Sequence, residues 1–168
     1  MGRLAFVFPG QGAQAPGMGM DLYRHSPAAK RVLDRAEELY PGLQSLCFEG
    51  PMERLTRTDN AQPALLAVEA ATLAALREQG LIPDAAAGFS LGEWAACHAA
   101  GMLNFDRAFQ LVRLRGQWMQ QCADAAPGGM TAVLRMTGDA AATLAAQHHG
   151  VHPVNFNAPE QTVVAGSL

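Results

Sequence analysis

The stretch Gly88-Phe89-Ser90-Leu91-Gly92 decides how this chain is read. It follows the small apolar run Ala85-Ala86-Ala87 and leads into the helix-forming Glu93-Trp94-Ala95-Ala96. A serine with glycine two residues to either side suits a sharp turn from strand to helix, which thrusts the side chain outward. The hydroxyl then stands at a helix N-terminus, where unpaired N–H groups and the helix dipole favour developing negative charge. That is a setting for a serine nucleophile attacking an acyl carbonyl. The pattern asks for only three fixed residues in a chain with 17 glycines, so chance and function both stay open at this point. Alanine favours helix over strand, and residues 85–88 are read as a strand because the turn requires one.

Upstream, Leu4-Ala5-Phe6-Val7-Phe8 is a continuous apolar run ended by Pro9-Gly10, the pattern of a strand buried on both faces. The glycine-rich loop behind it invites two nucleotide readings, and each departs from its pattern. Gly10-x-Gly12-x-x-Ala15 resembles a dinucleotide fingerprint, but Pro16-Gly17 breaks the helix that would hold the pyrophosphate. The acid at about the right distance, Asp34, also lies in a helical pattern rather than at a strand end. Gly12-x-x-x-x-Gly17 begins like a phosphate loop, but Met18 stands where lysine is required. A loop this rich in glycine can still turn backbone N–H groups toward a ligand oxygen.

Residues 27–39 and 41–56 read as short helices, punctuated by Gly50-Pro51. Pro63 at a first helical position and Gly80 just past the end then bound a helix over residues 64–79 that is apolar nearly all round and therefore buried. Asn104 caps a further helix from Phe105 to about Ala123, whose stripe is Ala108, Leu111, Val112, Met119 and Cys122. Arg115 falls inside that stripe, while Arg107 and Arg113 lie on the polar side. An arginine facing a core is expensive unless an acceptor meets it. A buried ion pair with an acid elsewhere and a ligand-holding role are both open.

After the glycine-rich hinge at 125–129 come a strand over 130–136, a helix over 139–149, and strands over 151–156 and 161–165. The last two are joined by a hairpin at Asn157-Ala158-Pro159-Glu160. This βαββ order is the beginning of a ferredoxin-like lobe and predicts a sheet that further chain would cover.

Composition narrows the function classes. A net charge of −3 without a basic run argues against nucleic acid, and no stretch is long enough to span a bilayer. No signal-peptide pattern opens the chain, because the apolar region is too short before Pro9-Gly10. Cys47, Cys97 and Cys122 are odd in number and far apart, without metal-ligand spacing, as expected of thiols in a reducing cytoplasm.

Five blocks then occur in one order: 8–14 (FPGQGAQ), 62–65 (QPAL), 88–93 (GFSLGE), 114–120 (LRGQWMQ), and 153–159 (PVNFNAP) with 163–166 (VVAG). Together they resemble the malonyl-CoA:acyl carrier protein transacylases and the acyltransferase domains of fatty-acid and polyketide synthases. The likeness runs the whole length of this chain but covers only a little over half of a family member. It implies an α/β fold: a hydrolase-like lobe with a parallel sheet and nucleophile elbow over residues 1–125, and the start of a ferredoxin-like lobe over 126–168. It implies that malonyl-CoA acylates Ser90 and that the phosphopantetheine thiol of acyl carrier protein then takes the malonyl group. The backbone N–H groups of Gln11 and Leu91 would form the oxyanion hole. Arg115 would hold the malonyl carboxylate, and Gln62 and Asn157 would line the site. No metal or redox cofactor is implied, only the coenzyme A thioester as substrate, with a complementary C-terminal segment as a further partner.

Two departures from the family pattern stand out. Phe89 replaces the usual histidine beside the serine. The family's catalytic histidine lies downstream of residue 168, and His25, His98, His148, His149 and His152 match no such position. Three other readings share parts of these motifs: a serine hydrolase, the transacylase subunit of a malonate decarboxylase-type complex, and a catalytically incomplete binding module.

Overall fold

The computed structural model describes residues 2–167. The chain forms two compact units, Met1–Gln120 and Gln121–Leu168. The first holds strand β1 (Ala5–Phe8), helices α1 (Met20–His25), α2 (Pro27–Leu39), α3 (Leu43–Glu49), α4 (Met52–Thr56) and α5 (Thr58–Glu78), strand β2 (Ala85–Gly88) and helix α6 (Gly92–Ala99). Helix α7 (Phe105–Ala125) carries the chain into the second unit. There follow β3 (Gly128–Leu134), α8 (Gly138–Ala145), β4 (Val151–Ala158) and β5 (Gln161–Ser167). The result is a mixed α/β fold with one parallel and one antiparallel sheet. No described helix is long and apolar enough to cross a membrane.

Helix α5 is the centre of the first unit's core. Twelve of its residues are buried, so its apolar surface runs most of the way round. Leu33 and Ala36 of α2, Leu43 and Leu46 of α3, Leu55 of α4 and Phe109 and Val112 of α7 complete the same cluster. The Ser26 hydroxyl accepts from the Ala29 N–H and Pro27 occupies the first turn, which is why α2 starts where it does. Arg35 grips Asp106 through both Nε and Nη2, tying α2 to the start of α7. The Asn104 carboxamide accepts from the Arg107 N–H, so the expected cap of α7 forms.

Three expectations need correction. Helix α5 begins at Thr58, and Pro63 lies inside it. Pro63 is the sixth residue of α5, so its missing N–H removes one bond of the second turn, and burial of the surrounding residues outweighs that loss. Strand β1 is not covered on both faces: Phe8 is buried, but Val7 is 75% exposed. Among the described residues the strand pairs only with β2, Ala5 opposite Ala85 through Phe8 opposite Gly88, all parallel. Finally, the stripe on α7 is buried only in its first half. Ala108, Phe109, Val112 and Gly116 are covered, whereas Met119 and Cys122 are exposed.

The second unit is a three-stranded antiparallel sheet in the order β3-β5-β4, with β5 in the middle. Helix α8, capped by Thr137, buries Ala141 and Ala145, and Thr162 of the central strand is also fully buried. Met130 and Leu134 on β3 and Val154 and Phe156 on β4 stay exposed.

Candidate active site

The serine turn is built by steric necessity. The Phe89 N–H donates to the Phe8 carbonyl, extending the β1–β2 pairing by one bond, and the Gly92 N–H then closes back on the Phe89 carbonyl at 2.9 Å. Between them Ser90 sits at φ +53°, the left-handed region that costs an L-residue about 1–2 kcal/mol. A Cβ on Gly88 would stand 2.0 Å from the Gly92 carbonyl carbon, and one on Gly92 would stand 2.2 Å from the Phe8 carbonyl oxygen. Both contacts are to backbone, which cannot swing aside. Glycine at these two positions is therefore what allows α6 to start directly behind the strand ends. A Gly92→Ala chain is expected to lose roughly 1–3 kcal/mol of stability, read as a lower denaturation midpoint. An unchanged midpoint would show that the turn tolerates the methyl group.

Ser90 is half-buried and its Oγ accepts a hydrogen bond from Arg115 Nη2 at 3.1 Å. The same guanidinium donates through Nη1 to Gln62 Oε1 at 2.7 Å. Gln62 is fully buried on α5, and its amide nitrogen points to the Met119 sulfur at 3.1 Å. Three elements thus converge on one polar cluster: the turn before α6, the middle of α7 and the first turns of α5. The close approach of α7 to α5 depends on Gly116, where a Cβ would lie 3.0 Å from the Thr58 carbonyl oxygen. The alternative of an ion pair does not hold for Arg115, since its partners are an amide and a hydroxyl and no described salt bridge includes it.

The glycine-rich loop reaches the turn as well. A Cβ on Gly10 would stand 2.8 Å from the Phe89 carbonyl oxygen, so this loop packs directly against the elbow backbone. Gln11 is exposed, and its side-chain amide donates to Thr58 Oγ1 at 3.3 Å. Leu91 is fully buried at the head of α6. Among the described residues neither the Gln11 nor the Leu91 backbone N–H is spent on another hydrogen bond. Phe89, half exposed, flanks the serine. Asn157 lies exposed on β4, in the other unit.

His98 bonds the Leu103 carbonyl through Nδ1 at 3.0 Å and packs edge-on against Phe105. Burial pushes the Cys47 thiol up to about 12, which leaves it without thiolate character at neutral pH. Asp34, the acid of the rejected dinucleotide pattern, is engaged by Lys30, Tyr23 and Gln44. No group of three or more metal-capable side chains exists among the described residues. One feature went unread in the sequence: Gln62 is the acceptor that fixes Arg115. The block at 62–65 placed Gln62 in the site, but nothing in it pointed to Arg115 as the partner.

Residues 5–168 match the family described as acyl transferase domain. The malonyl CoA-acyl carrier protein transacylase of Bacillus subtilis (strain 168) is 45% identical over 172 residues, an alignment spanning 99% of this chain and 54% of that protein. The crystal structure of the corresponding transacylase from Clostridium perfringens superimposes with a TM-score of 0.91 at 38% identity, covering 99% of this chain and 54% of that one. A malonyl-transacylase solved with a type II polyketide synthase acyl-carrier protein gives a TM-score of 0.87 at 38% identity, over 99% and 55%. The chain spans about half the length of the relatives it matches.

Proposed function

The chain belongs to the acyl transferase domain family, and from that premise we propose that it is the nucleophile-bearing portion of a malonyl-CoA:acyl carrier protein transacylase. The observation that carries this reading is the Gln62–Arg115–Ser90 cluster, a guanidinium held beside an elbow serine without a carboxylate of its own.

The chemistry follows from those positions. The Ser90 oxygen attacks the thioester carbonyl of malonyl-CoA, and the tetrahedral oxyanion is met by the N–H groups of Leu91 and Gln11. Leu91 heads a helix, so its N–H carries the dipole's positive end toward that oxygen. Collapse breaks the C–S bond and expels the coenzyme A thiolate, which takes the proton that the general base removed from the Ser90 hydroxyl, and leaves malonyl as an ester on Ser90. The phosphopantetheine thiol of an acyl carrier protein then attacks this ester and restores the serine. Arg115 holds the free malonyl carboxylate throughout by charge-assisted bonds. The histidines of this chain make no described contact with Ser90, and the general base is assigned to the portion of the domain that relatives carry beyond the matched half. Asn157 is proposed as a supporting polar group. The coenzyme A thioester is the substrate, and no further cofactor enters these steps. A cytoplasmic location is proposed with the reaction.

The test joins this chain to the C-terminal portion of the domain and incubates the complete enzyme with malonyl-CoA. A mass gain of one malonyl group on the Ser90 peptide, discharged by added holo-acyl carrier protein, is expected. Discharge to water alone, with the carrier protein left unloaded, would make the chain a hydrolase instead.

A further inference from the structure

The loop behind β1 buries one polar side chain that the proposed chemistry leaves unused. Gln14 is only 6% exposed, while Gln11, Gly12, Ala13 and Ala15 around it are exposed. Its Oε1 accepts the Gly12 N–H at 2.7 Å, a bond that reaches back two residues along the chain. Burying an amide is unfavourable unless its polar atoms are met, and this bond meets one of them. Gly12 turns the backbone at φ +114°, so the grip falls where the loop changes direction.

The place of that bond gives it a use. Peptide units are planar, so fixing the Gly12 N–H fixes the whole unit that follows Gln11. The unit that precedes Gln11 starts from Gly10, where a Cβ would stand 2.8 Å from both the Phe89 ring and the Phe89 carbonyl oxygen. Gly10 is therefore pressed against the elbow, and Gly12 is gripped by Gln14. Between these two holds lies the Gln11 N–H, which makes no hydrogen bond among the described residues. Glycine on each side of Gln11 offers little resistance to rotation of these peptide units. The direction of the Gln11 N–H thus depends on side chains, and the longer 3.3 Å contact from the Gln11 amide to Thr58 Oγ1 is the weaker tether.

We infer that Gln14 is a positioning residue of the acyl-transfer site: with Phe89 on the other side, it holds the loop so that the Gln11 N–H is already aimed at the oxygen of the tetrahedral intermediate. The inference rests on the proposed roles of Ser90 and Gln11 and adds the groups that preset the donor. A preset donor stabilises the oxyanion without reorganising as charge develops. Gln14 is buried and acts through Gly12, not on the thioester.

The experiment uses the complete enzyme, this chain joined to the C-terminal portion of the domain, as parent, Gln14→Met, Gln14→Glu and Phe89→Ala. Single-turnover acylation of Ser90 is followed against thioester concentration, giving a maximal rate and a half-saturating concentration for malonyl-CoA and for acetyl-CoA. Gln14→Met removes the acceptor at similar length and should slow acylation by about tenfold to a hundredfold, as expected of a misplaced catalytic donor. The half-saturating concentration should stay within about twofold, because the interaction lost belongs to the transition state. Both thioesters develop the same oxyanion, so they should slow equally, unlike the outcome expected for Arg115. Gln14→Glu still offers an oxygen to the Gly12 N–H and should keep more of the rate than Gln14→Met. Phe89→Ala should show the same split between rate and affinity. The double change Gln14→Met with Phe89→Ala should lose less than the product of the two single losses, since both act through one donor. Should Gln14→Met fail to fold, Phe89→Ala carries the test by the same criteria, because its ring is half exposed. An acylation rate unchanged by the substitutions, a loss confined to affinity, or a shifted malonyl-to-acetyl ratio would each overturn the inference. A parent enzyme that forms no ester on Ser90 would overturn the underlying reading of the site, and the inference with it.

Discussion

A Ser90→Ala enzyme should transfer malonyl groups at least about a thousandfold more slowly than the parent, with no acyl-protein detectable. The proposed covalent route runs through a single oxygen, and no neighbouring side chain is placed to replace it. Cys47 is buried with its thiol pushed up to about 12. Cys122 is exposed on the last turns of α7, and Cys97 is half-buried within α6 rather than at its N-terminus. Alanine takes the left-handed φ with the same strain as serine, so the folded chain should melt close to the parent. It loses only one hydrogen bond, the one accepted from Arg115. Ser90→Gly separates catalysis from strain in the opposite direction. It should be equally inactive yet more stable by about 1 kcal/mol, since glycine adopts φ +53° freely. Rapid quench with radiolabelled malonyl-CoA reads the acyl-protein, and thermal melting reads the strain. Label on a cysteine with Ser90 intact would remove the serine from the mechanism.

Much of this site could be read from the sequence because its constraints are steric and local. Gly88 and Gly92 have no tolerable substitute where a methyl group would strike backbone at 2.0–2.2 Å, and so the pentapeptide implies its own geometry. Arg115 was visible because its spacing put a charge among apolar positions of α7. Its partner was not visible: the Gln62 contact joins residues 53 apart, and periodicity within one helix says nothing about which helix comes alongside. The start of α5 was misplaced for a related reason. Proline is a strong local boundary signal, yet burial of Asn60, Ala61 and Gln62 holds helical geometry ahead of Pro63. The exposed end of the α7 stripe and the open face of β1 show the reverse. Apolar pattern says what a segment can bury against, and the structure shows how much of that surface is met within these residues.

The second large effect concerns discrimination between acyl groups. Arg115 donates to Gln62 Oε1 at 2.7 Å and to Ser90 Oγ at 3.1 Å, and neither acceptor neutralises its charge. Under the proposed reading, a malonyl carboxylate arriving beside Ser90 would supply the missing anion, and a planar guanidinium can meet it with two parallel N–H bonds. Hydrogen bonds to charged groups are worth about 1.5–3 kcal/mol each in partly desolvated sites. Removing the guanidinium should then lower kcat/KM for malonyl-CoA by about tenfold to several hundredfold. Acetyl-CoA has no carboxylate, so under the same proposal it should leave the guanidinium without an anion and be disfavoured in the parent enzyme. Arg115→Ala removes the attraction and the penalty together, and the malonyl-to-acetyl preference should collapse or reverse. Lysine should restore only part of the malonyl rate, because its point charge cannot serve Gln62, Ser90 and the carboxylate in one plane. Gln62→Leu gives a graded version of the same test: without the acceptor at Nη1, the fork is free to rotate and malonyl should suffer more than acetyl. The measurement is kcat/KM for both thioesters in the parent, Arg115→Ala, Arg115→Lys and Gln62→Leu enzymes. An equal loss for malonyl and acetyl in Arg115→Ala would reassign the arginine to holding Ser90 and Gln62 in place, with substrate selection lying elsewhere.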